Sequence, residues 1–205
     1  MRSIVRFAGY GIKIARLGNN ADNTVDMKFC SDCGSPVSHR IPPGDLLSRF
    51  VCDTCQTIHY QNPKIVVGCL PEWGDDVLLC RRAIDPRTGF WTFPAGFMEQ
   101  GESAEQAAAR ETLEEAEADV EITSLYAVFS LPHISQVYMI FRGAMRSAHY
   151  GAGSESLEAQ LFHPDAIPWD TLAFPVIAEA LRRYVHDKGR GMFEVHVGTV
   201  APRKV

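Results

Sequence analysis

Apolar runs separated by turn residues recur along the chain between residues 64 and 162, a pattern typical of β-strands. Two such stretches flank the turn residues Gly74, Asp75 and Asp76 and therefore predict a hairpin. The predicted strands cover residues 64–73, 77–82, 91–95, 120–131, 136–145 and 157–162. A turn over residues 164–169 and a helix over about residues 174–186 follow the last strand.

A second helix is predicted inside the segment 96–118, where a glycine-containing loop precedes an alanine-rich stretch. Ser103 and Gln106 have the spacing of a capping box, which marks the start of a helix. At about 100° per residue, three glutamates share one arc of this helix: Glu111, Glu114 and Glu115. A different stripe is expected to face a core: Ala109, Leu113 and Ala116.

The three glutamates of that arc repel one another at spacings of three and four residues, which destabilises an isolated helix. A solvated acidic face is the ordinary interpretation of a glutamate-rich helix. Two features favour a metal site instead. Arg110 lies inside the cluster, and Gly96 and Gly101 precede the helix where a backbone can approach a ligand. Oxygen ligands in this number suit hard divalent cations such as Mg²⁺ or Mn²⁺.

Composition narrows the class of protein. The 205 residues are 46% hydrophobic and 22% charged, as in globular proteins that hold one domain and a small module. The net charge of −5 argues against a general nucleic-acid binder or membrane-surface binder, so neither partner is expected. No apolar run approaches the ~18 residues that a membrane span needs. We expect a cytoplasmic protein.

Four of the six cysteines form two Cys-x-x-Cys pairs separated by 18 residues: Cys30, Cys33, Cys52 and Cys55. This spacing predicts a zinc ribbon with a closed tetrahedral site, so the zinc is expected to be structural. Four free thiols are the alternative. His39 and His59 are expected at the surface, and Cys69 and Cys80 are expected as buried, inert thiols.

Residues 1–26 carry four basic residues and no acid before Asp22. The stretch could be an organellar targeting segment, which would change the expected location. We favour an extension that is poorly structured or not native, because it contains almost no serine and because Met27 resembles a natural start. The predicted organisation is an extension (1–26), a zinc ribbon (27–62) and a main domain (63–205).

The segment 96–118 resembles the Nudix box, G-x5-E-x7-R-E-U-x-E-E-x-G-U, in which U is a bulky apolar residue. Six positions match: Gly96, Glu102, Arg110, Glu111, Glu114 and Glu115. Three positions depart from the pattern: Thr112, Glu117 and Ala118. The resemblance implies an α/β/α sandwich around a mixed sheet, preceded here by the zinc ribbon, and the order of predicted elements fits this fold.

Nudix enzymes hydrolyse a nucleoside diphosphate linked to another group. By motif position, the resemblance implies that Mg²⁺ or Mn²⁺ is held by Gly96, Glu111, Glu114 and Glu115. Arg110 and Glu102 would orient these carboxylates. The general base is open between Glu111 and a glutamate beyond the box, where Glu158 is favoured slightly over Glu155.

A zinc ribbon before a Nudix domain is similar to two groups of enzymes. The signature of the NADH pyrophosphatases is absent, because residues 130–136 have the sequence SLPHISQ. Residues 60–64, 67–69, 155–158 and 167–169 resemble the group that includes plant FAD pyrophosphatases. This resemblance implies cleavage of FAD to FMN and AMP, while NADH and ADP-ribose stay open as substrates.

Three residues are candidates to contact a base or a flavin ring, although ordinary strand packing explains each equally well: Phe129, His133 and Tyr138. The expected partner is a small-molecule dinucleotide. A hypothesis from another class treats the ribbon as a binding module attached to an inactive Nudix fold. A homodimer is also expected, because such assemblies are common among related enzymes.

Overall fold

The computed structural model describes residues 27–202. The predictions on residues 1–26 lie outside this range. Within it, three short strands form an antiparallel sheet: β1 (Val37–Arg40), β2 (Arg49–Cys52) and β3 (Ile58–His59). The four cysteines of the two Cys-x-x-Cys motifs lie in or next to these strands, as expected for a zinc ribbon.

The rest of the described chain, from residue 63 to residue 202, forms one eight-stranded sheet and two helices. The strands are β4 (Lys64–Trp73), β5 (Asp76–Arg82), β6 (Trp91–Thr92), β7 (Ala95–Phe97), β8 (Val120–Leu131), β9 (Gln136–Met145), β10 (Ser156–Phe162) and β11 (His196–Thr199). The helices are α1 (Ala104–Ala116) and α2 (Pro175–Arg190). Three 3₁₀ turns complete the chain: Pro132–Ile134, Pro164–Ala166 and Trp169–Thr171.

The sheet is mixed, with the main strand order β10-β5-β4-β9-β8-β11. The pairs β4–β9 and β8–β11 are parallel, and the pairs β4–β5, β5–β10 and β8–β9 are antiparallel. β6 pairs with β5, and β7 pairs with β4. The single strand predicted over residues 91–95 is thus two short strands separated by Phe93 and Pro94.

The two helices pack on opposite faces of the sheet, as the alternation of side chains along β4 and β5 shows. Leu70 and Leu79 belong to a buried cluster with Ile177 and Leu181 of α2. Their neighbours along the strands, including Cys69 and Cys80, belong to a second cluster with Ala107, Ala108 and Ala116 of α1. Successive strand residues point to opposite faces, so the predicted α/β/α sandwich is confirmed.

The start of α1 matches the sequence prediction. The Ser103 hydroxyl accepts a hydrogen bond from the Gln106 N–H at 3.2 Å, and the Gln106 side chain accepts one from the Ser103 N–H at 2.8 Å. The end of α1 adopts the left-handed conformation at Glu117, with φ 49°, where the Nudix pattern has glycine. Glu117 therefore adopts the left-handed conformation in which glycine commonly ends a helix, at the cost of some backbone strain.

The stripe of α1 predicted to face a core is confirmed for Ala116, which is buried, and for Ala109, which packs against the same cluster, but not for Leu113, which is 56% exposed. Of the glutamate arc, Glu111 and Glu115 are buried, and Glu114 is exposed. Thr112 fills a bulky apolar position of the box, and its buried hydroxyl donates to the Ala108 carbonyl oxygen at 2.7 Å. The helix therefore buries small residues against the sheet and places carboxylates at the edge of the buried surface.

The position of α2 is fixed by buried polar contacts with the sheet. The Tyr184 hydroxyl donates to Glu72 at 2.9 Å, and Arg142 of β9 donates to the same carboxylate at 2.8 Å. The Tyr126 hydroxyl donates to Asp187 at 3.1 Å. Because buried polar groups must find partners, these bonds fix one orientation of α2 on the sheet.

The helices within residues 27–202 are too short or too polar to cross a membrane. The expected homodimer and the expected cytoplasmic location stay predictions from the sequence.

Candidate metal and hydrolase sites

The four cysteines predicted as zinc ligands converge at one point of the ribbon, with all four sulfur atoms within 4.8 Å of one another. Cys30 Sγ lies 3.7 Å from Cys55 Sγ, and Cys33 Sγ lies 3.5 Å from Cys52 Sγ. A tetrahedral ion with metal–sulfur distances of about 2.3 Å separates its sulfur ligands by about 3.8 Å. The cysteine cluster therefore fits zinc, and all six cysteines of the described chain lie outside disulfides.

Backbone N–H groups point at two of these sulfurs. The N–H of Asp32 lies 3.4 Å from Cys30 Sγ, and the N–H of Thr54 lies 3.4 Å from Cys52 Sγ. The expectation of a surface position for His59 was incomplete, because the half-buried ring places Nε2 at 3.3 Å from Cys30 Sγ. His59 is suited to orient that thiolate beside a metal.

We expect one tightly bound zinc ion per chain, lost when Cys52 is replaced by Ser. Cys52 is fully buried in the ribbon, where metal binding supplies most of the folding free energy of so small a module. Zinc content by atomic emission spectroscopy checks this. The matched control is Cys69→Ala, because Cys69 is buried in the main sheet and burial raises its pKa to about 12. Equal zinc content in both variants would contradict the site.

A second group of predicted residues lines one cavity of about 860 Å³ in the main domain. Its lining includes the four predicted metal ligands and one predicted candidate for the general base: Gly96, Glu111, Glu114, Glu115 and Glu155. Gly96 approaches Glu111 so closely that a Cβ on residue 96 would collide with the Glu111 carboxylate. Any larger residue at this position would therefore displace the Glu111 carboxylate.

Arg110 is held between the loop and the helix by several hydrogen bonds. Its Nε and Nη2 donate to the two carboxylate oxygens of Glu102 at 3.0 and 2.8 Å, and Nη2 also donates to the Phe97 carbonyl oxygen at 3.2 Å. Nη1 donates to Glu111 at 2.8 Å and to Glu114 at 2.9 Å. The Arg110 hydrogen bonds, together with one from the Glu99 N–H, lower the pKa of Glu102 to about 2.

Glu115 is the most deeply placed of the cavity carboxylates. Burial raises its pKa to about 7, although its Oε2 accepts a hydrogen bond from the Ala95 N–H at 3.0 Å. Burial also raises the pKa of Glu111, and Arg110 opposes that rise. Buried carboxylates that repel one another favour a cation beside them, because a cation stabilises their charged forms. The donor set contains only oxygen atoms and fits Mg²⁺ or Mn²⁺.

The raised pKa of Glu115 gives a pH dependence with a defined sign. Between about pH 4.5, its ordinary pKa, and about pH 7, folded chain without added Mg²⁺ holds a proton that unfolded chain releases. The free energy of unfolding therefore falls as pH rises through 7. We expect Mg²⁺ to raise the Tm more at pH 8 than at pH 6, because it binds the charged carboxylate. Thermal melts check this, with Glu115→Gln as the control that should lose most of the difference.

Of the two glutamates considered as a general base beyond the box, Glu155 lines the cavity and the slightly favoured Glu158 does not. Glu158 lies outside the cavity and pairs with Arg81, with Arg81 Nη1 at 3.8 Å from its carboxylate. Glu155 lies in the loop before β10 and lines the cavity. This loop is fixed to the end of α1, because the Gly153 N–H donates to the Glu115 carbonyl oxygen at 3.1 Å. A Cβ on residue 153 would collide with the Glu114 carbonyl oxygen.

Two of the three ring-contact candidates line the cavity, namely His133 and Tyr138. Phe129 does not, and is only 1% exposed in the core. The reason is that β11 pairs with β8 beside Phe129, while the Arg183 guanidinium of α2 lies 5.5 Å above the ring. No pattern in the sequence predicts β11, the strand that pairs beside this ring.

Arg82, the last residue of β5, also lines the cavity, although no sequence motif marks it as a site residue. Among the described residues that line the cavity, it is the one lysine or arginine. Its Nε donates to the Pro86 carbonyl oxygen at 3.0 Å, and its guanidinium lies 5.2 Å from the centre of the Phe174 ring. The available signal was weak: Arg81 and Arg82 alternate along a strand, so only one of them can face the cavity.

Comparison with known protein families agrees with this geometry. The family model described as "NUDIX domain" matches residues 62–184. The chain belongs to the Nudix family. A zinc-ribbon model described as "Nudix N-terminal" matches residues 28–61, which include the four cysteines. The protein is therefore a Nudix pyrophosphohydrolase with an N-terminal zinc ribbon, and Nudix enzymes use divalent metals.

Two curated relatives are similar over most of the chain. The "NAD-capped RNA hydrolase NudC" of Edwardsiella ictaluri (strain 93-146) is 29% identical over 194 residues, which are 91% of this chain and 67% of that protein. The NudC of Stutzerimonas stutzeri (strain A1501) is 32% identical over 146 residues, which are 69% of this chain and 50% of that protein. The chain thus spans between half and about two thirds of these NudC proteins.

Solved structures share the fold. A NUDIX hydrolase from Nitrosomonas europaea is 56% identical, with a TM-score of 0.83, and the match covers 85% of this chain and 99% of that chain. An ADP-ribose pyrophosphatase from Streptococcus suis 89-1591 is 20% identical, with a TM-score of 0.55, over 66% of this chain and 99% of that chain. At that identity, the second structure supports the fold alone.

Proposed function

We propose that this Nudix enzyme hydrolyses the pyrophosphate bond of a dinucleotide and that its substrate is FAD, cleaved to FMN and AMP. The observation that carries the proposal is the mixed lining of the cavity. Box carboxylates and Arg82 share about 860 Å³ with aromatic and apolar side chains, including Tyr138 and Phe174. A dinucleotide has the matching parts, a charged pyrophosphate between two ring systems.

Gly96, Glu111, Glu114 and Glu115 would hold Mg²⁺ or Mn²⁺. When bound, such an ion neutralises the charge of the phosphates, polarises a phosphoryl oxygen and lowers the pKa of a bound water. Arg110 and Glu102 are positioning residues in this account. The Arg110 guanidinium bonds Glu102, Glu111 and Glu114 at 2.8 to 3.0 Å, so it fixes two of the four ligands before substrate enters.

Glu155 is the favoured general base beyond the box, with Glu111 as the alternative. The supporting observation is that both carboxylates line the cavity, whereas Glu158 bonds Arg81 outside it. Arg82 would bind a phosphate oxygen of the substrate, because a guanidinium donates to such oxygens in a fixed planar geometry. Its hydrogen bond to the Pro86 carbonyl oxygen occupies Nε and leaves Nη1 and Nη2 to face the substrate.

Tyr138 and His133 would contact one ring system of the dinucleotide. Both line the same cavity as Phe174, at the N-cap of α2. Offset stacking of a flat heterocycle on aromatic side chains contributes about 1 kcal/mol per contact beyond burial. A flavin offers a larger flat surface than a nicotinamide, which favours FAD in so large a cavity.

Nicotinamide dinucleotides are the second candidate. The specific observation is that the NudC relatives are named for hydrolysis of NAD-capped RNA. The missing signature at residues 130–136 is the argument against them. An RNA carrying such a cap would add a nucleic-acid partner, against the expectation drawn from the net charge of −5. The binding-module hypothesis is set aside, because the carboxylates of the box converge on a cavity.

The proposal is tested by kcat/KM for FAD, NADH and ADP-ribose, each with Mg²⁺ and with Mn²⁺. We expect the highest value for FAD, with FMN and AMP released in equal amounts. A higher value for NADH would establish the second candidate instead. A highest value for ADP-ribose would contradict the assignment of the aromatic lining to a ring system.

A further inference from the structure

The C-terminal segment 196–201 reaches the cavity although it lies beyond residues 62–184, the part that the Nudix model matches. Its strand, β11, pairs in parallel with β8 from Ala127 to Ser130. The two residues that follow β11, Val200 and Ala201, line the cavity. An element outside the matched domain therefore contributes part of the wall around the substrate.

The segment is fixed to the sheet and to α2 by hydrogen bonds at both ends. At its start, His196 Nε2 lies 2.7 Å from Asp187 Oδ2, and His196 Nδ1 lies 3.2 Å from Arg183 Nη1. At its end, the Val200 N–H donates to the Ser130 carbonyl oxygen at 3.0 Å. A wall tied down in this way has a defined position and can discriminate between substrates by shape.

The part of the cavity beside this segment is apolar. Val200 packs on the same buried cluster as Leu131, Val176 and Ile177, all of which line the cavity. The box carboxylates come instead from α1, which packs on the other sheet face with its own buried cluster. The C-terminal segment therefore borders the space for an uncharged group of the substrate and not the site of cleavage.

We propose that Val200 and Ala201 form a specificity-determining wall that limits the size of the ring system carried by the dinucleotide. This inference rests on the proposed function, because it assigns part of the same cavity. A ring system that packs against the wall gains contact area, and a bulkier wall removes the space for it. ADP-ribose, which carries a sugar in place of that ring, needs this space less.

The test compares Val200→Trp and Ala201→Trp with wild type, by the ratio of kcat/KM for FAD or NADH to kcat/KM for ADP-ribose. We expect this ratio to fall about tenfold in at least one of the two variants, the size of effect that steric changes in apolar pockets produce. Ala201 is exposed, so its variant should fold even if Val200→Trp does not. The control is Val197→Trp on β11, because Val197 is 75% exposed and outside the cavity lining.

Binding of FAD, followed by flavin fluorescence, provides a readout that does not need turnover. A ratio and an FAD affinity that stay at wild-type values in both cavity variants would overturn the wall and leave the proposed function intact. The wall would also be overturned if the kcat/KM ratio fell as much in the Val197→Trp control as in the cavity variants. Wild-type protein that neither cleaves nor binds any of the three dinucleotides would overturn the proposed function and the wall together.

Discussion

Glu115→Gln is expected to abolish turnover while leaving the fold intact. The carboxylate of Glu115 is buried at the cavity, and its charge is needed to hold a divalent cation there. Loss of the charge stabilisation that a bound metal provides raises the activation barrier by several kcal/mol. This lowers kcat roughly a thousandfold. Steady-state kinetics at saturating Mg²⁺ measure this effect.

The fold should survive because the amide oxygen of Gln can still accept the hydrogen bond from the Ala95 N–H, which Glu115 Oε2 accepts at 3.0 Å. Removal of a buried acid also removes its desolvation cost, so without added Mg²⁺ the Tm should equal or exceed that of wild type. The matched control is Glu158→Gln, which changes an exposed glutamate outside the cavity. Near-wild-type kcat in Glu115→Gln would remove Glu115 from the metal site.

Gly96→Ala is expected to lower kcat by about a hundredfold with little change in stability. The added methyl group would meet the Glu111 carboxylate, the mobile end of a side chain, so the carboxylate moves and the backbone stays. A displacement of about 1 Å in a reacting group can cost this factor. Kinetics and thermal melts measured together on the same preparation check both halves of the prediction.

Gly68→Ala provides the matched comparison. A Cβ on residue 68 would meet the Phe93 ring and the Ala95 Cβ, which lie in or against the buried core. Overpacking of this kind typically costs about 1–3 kcal/mol of stability. We therefore expect a lower Tm in Gly68→Ala and a lower kcat in Gly96→Ala. A large fall in the Tm of Gly96→Ala would contradict the expectation that the Glu111 carboxylate moves to make room for the methyl group.

The main strands could be predicted from the sequence because their apolar residues are local runs. Strands over residues 64–73, 120–131 and 136–145 have the predicted bounds, because polar residues or turns interrupt the apolar runs at their ends. α2 runs four residues beyond the predicted end at His186 and stops where Gly191 adopts φ 66°. β11 was missed, because its four residues are stabilised by pairing with distant β8 and not by an apolar pattern of their own.

The orientation of α1 could not be predicted from hydrophobicity. Periodicity favoured Leu113 as the buried residue, whereas the folded chain buries Glu111 and Glu115. Burial of two neighbouring carboxylates opposes folding, and it persists where a ligand offsets the cost. The resemblance to the Nudix box contained this information, and the apolar pattern did not.

Some residues of the candidate site could be predicted from the sequence, and others could not. Positions inside the box could be predicted, because a fixed spacing on one helix brings them together. Glu155, Arg82 and Val200 come from a loop and from the ends of two strands, so their meeting at the cavity depends on the register of the whole sheet. Single-sequence patterns carry little information about that register.

The box carboxylates would hold the divalent cation that hydrolysis of a dinucleotide pyrophosphate needs. AMP release from FAD by wild-type protein, with and without added Mg²⁺, tests this role in a buffer that leaves the zinc ribbon loaded. We expect AMP and FMN in equal amounts with Mg²⁺ and almost none without it. Equal AMP release in the two conditions, or FAD left intact in both, would contradict this role of the carboxylates.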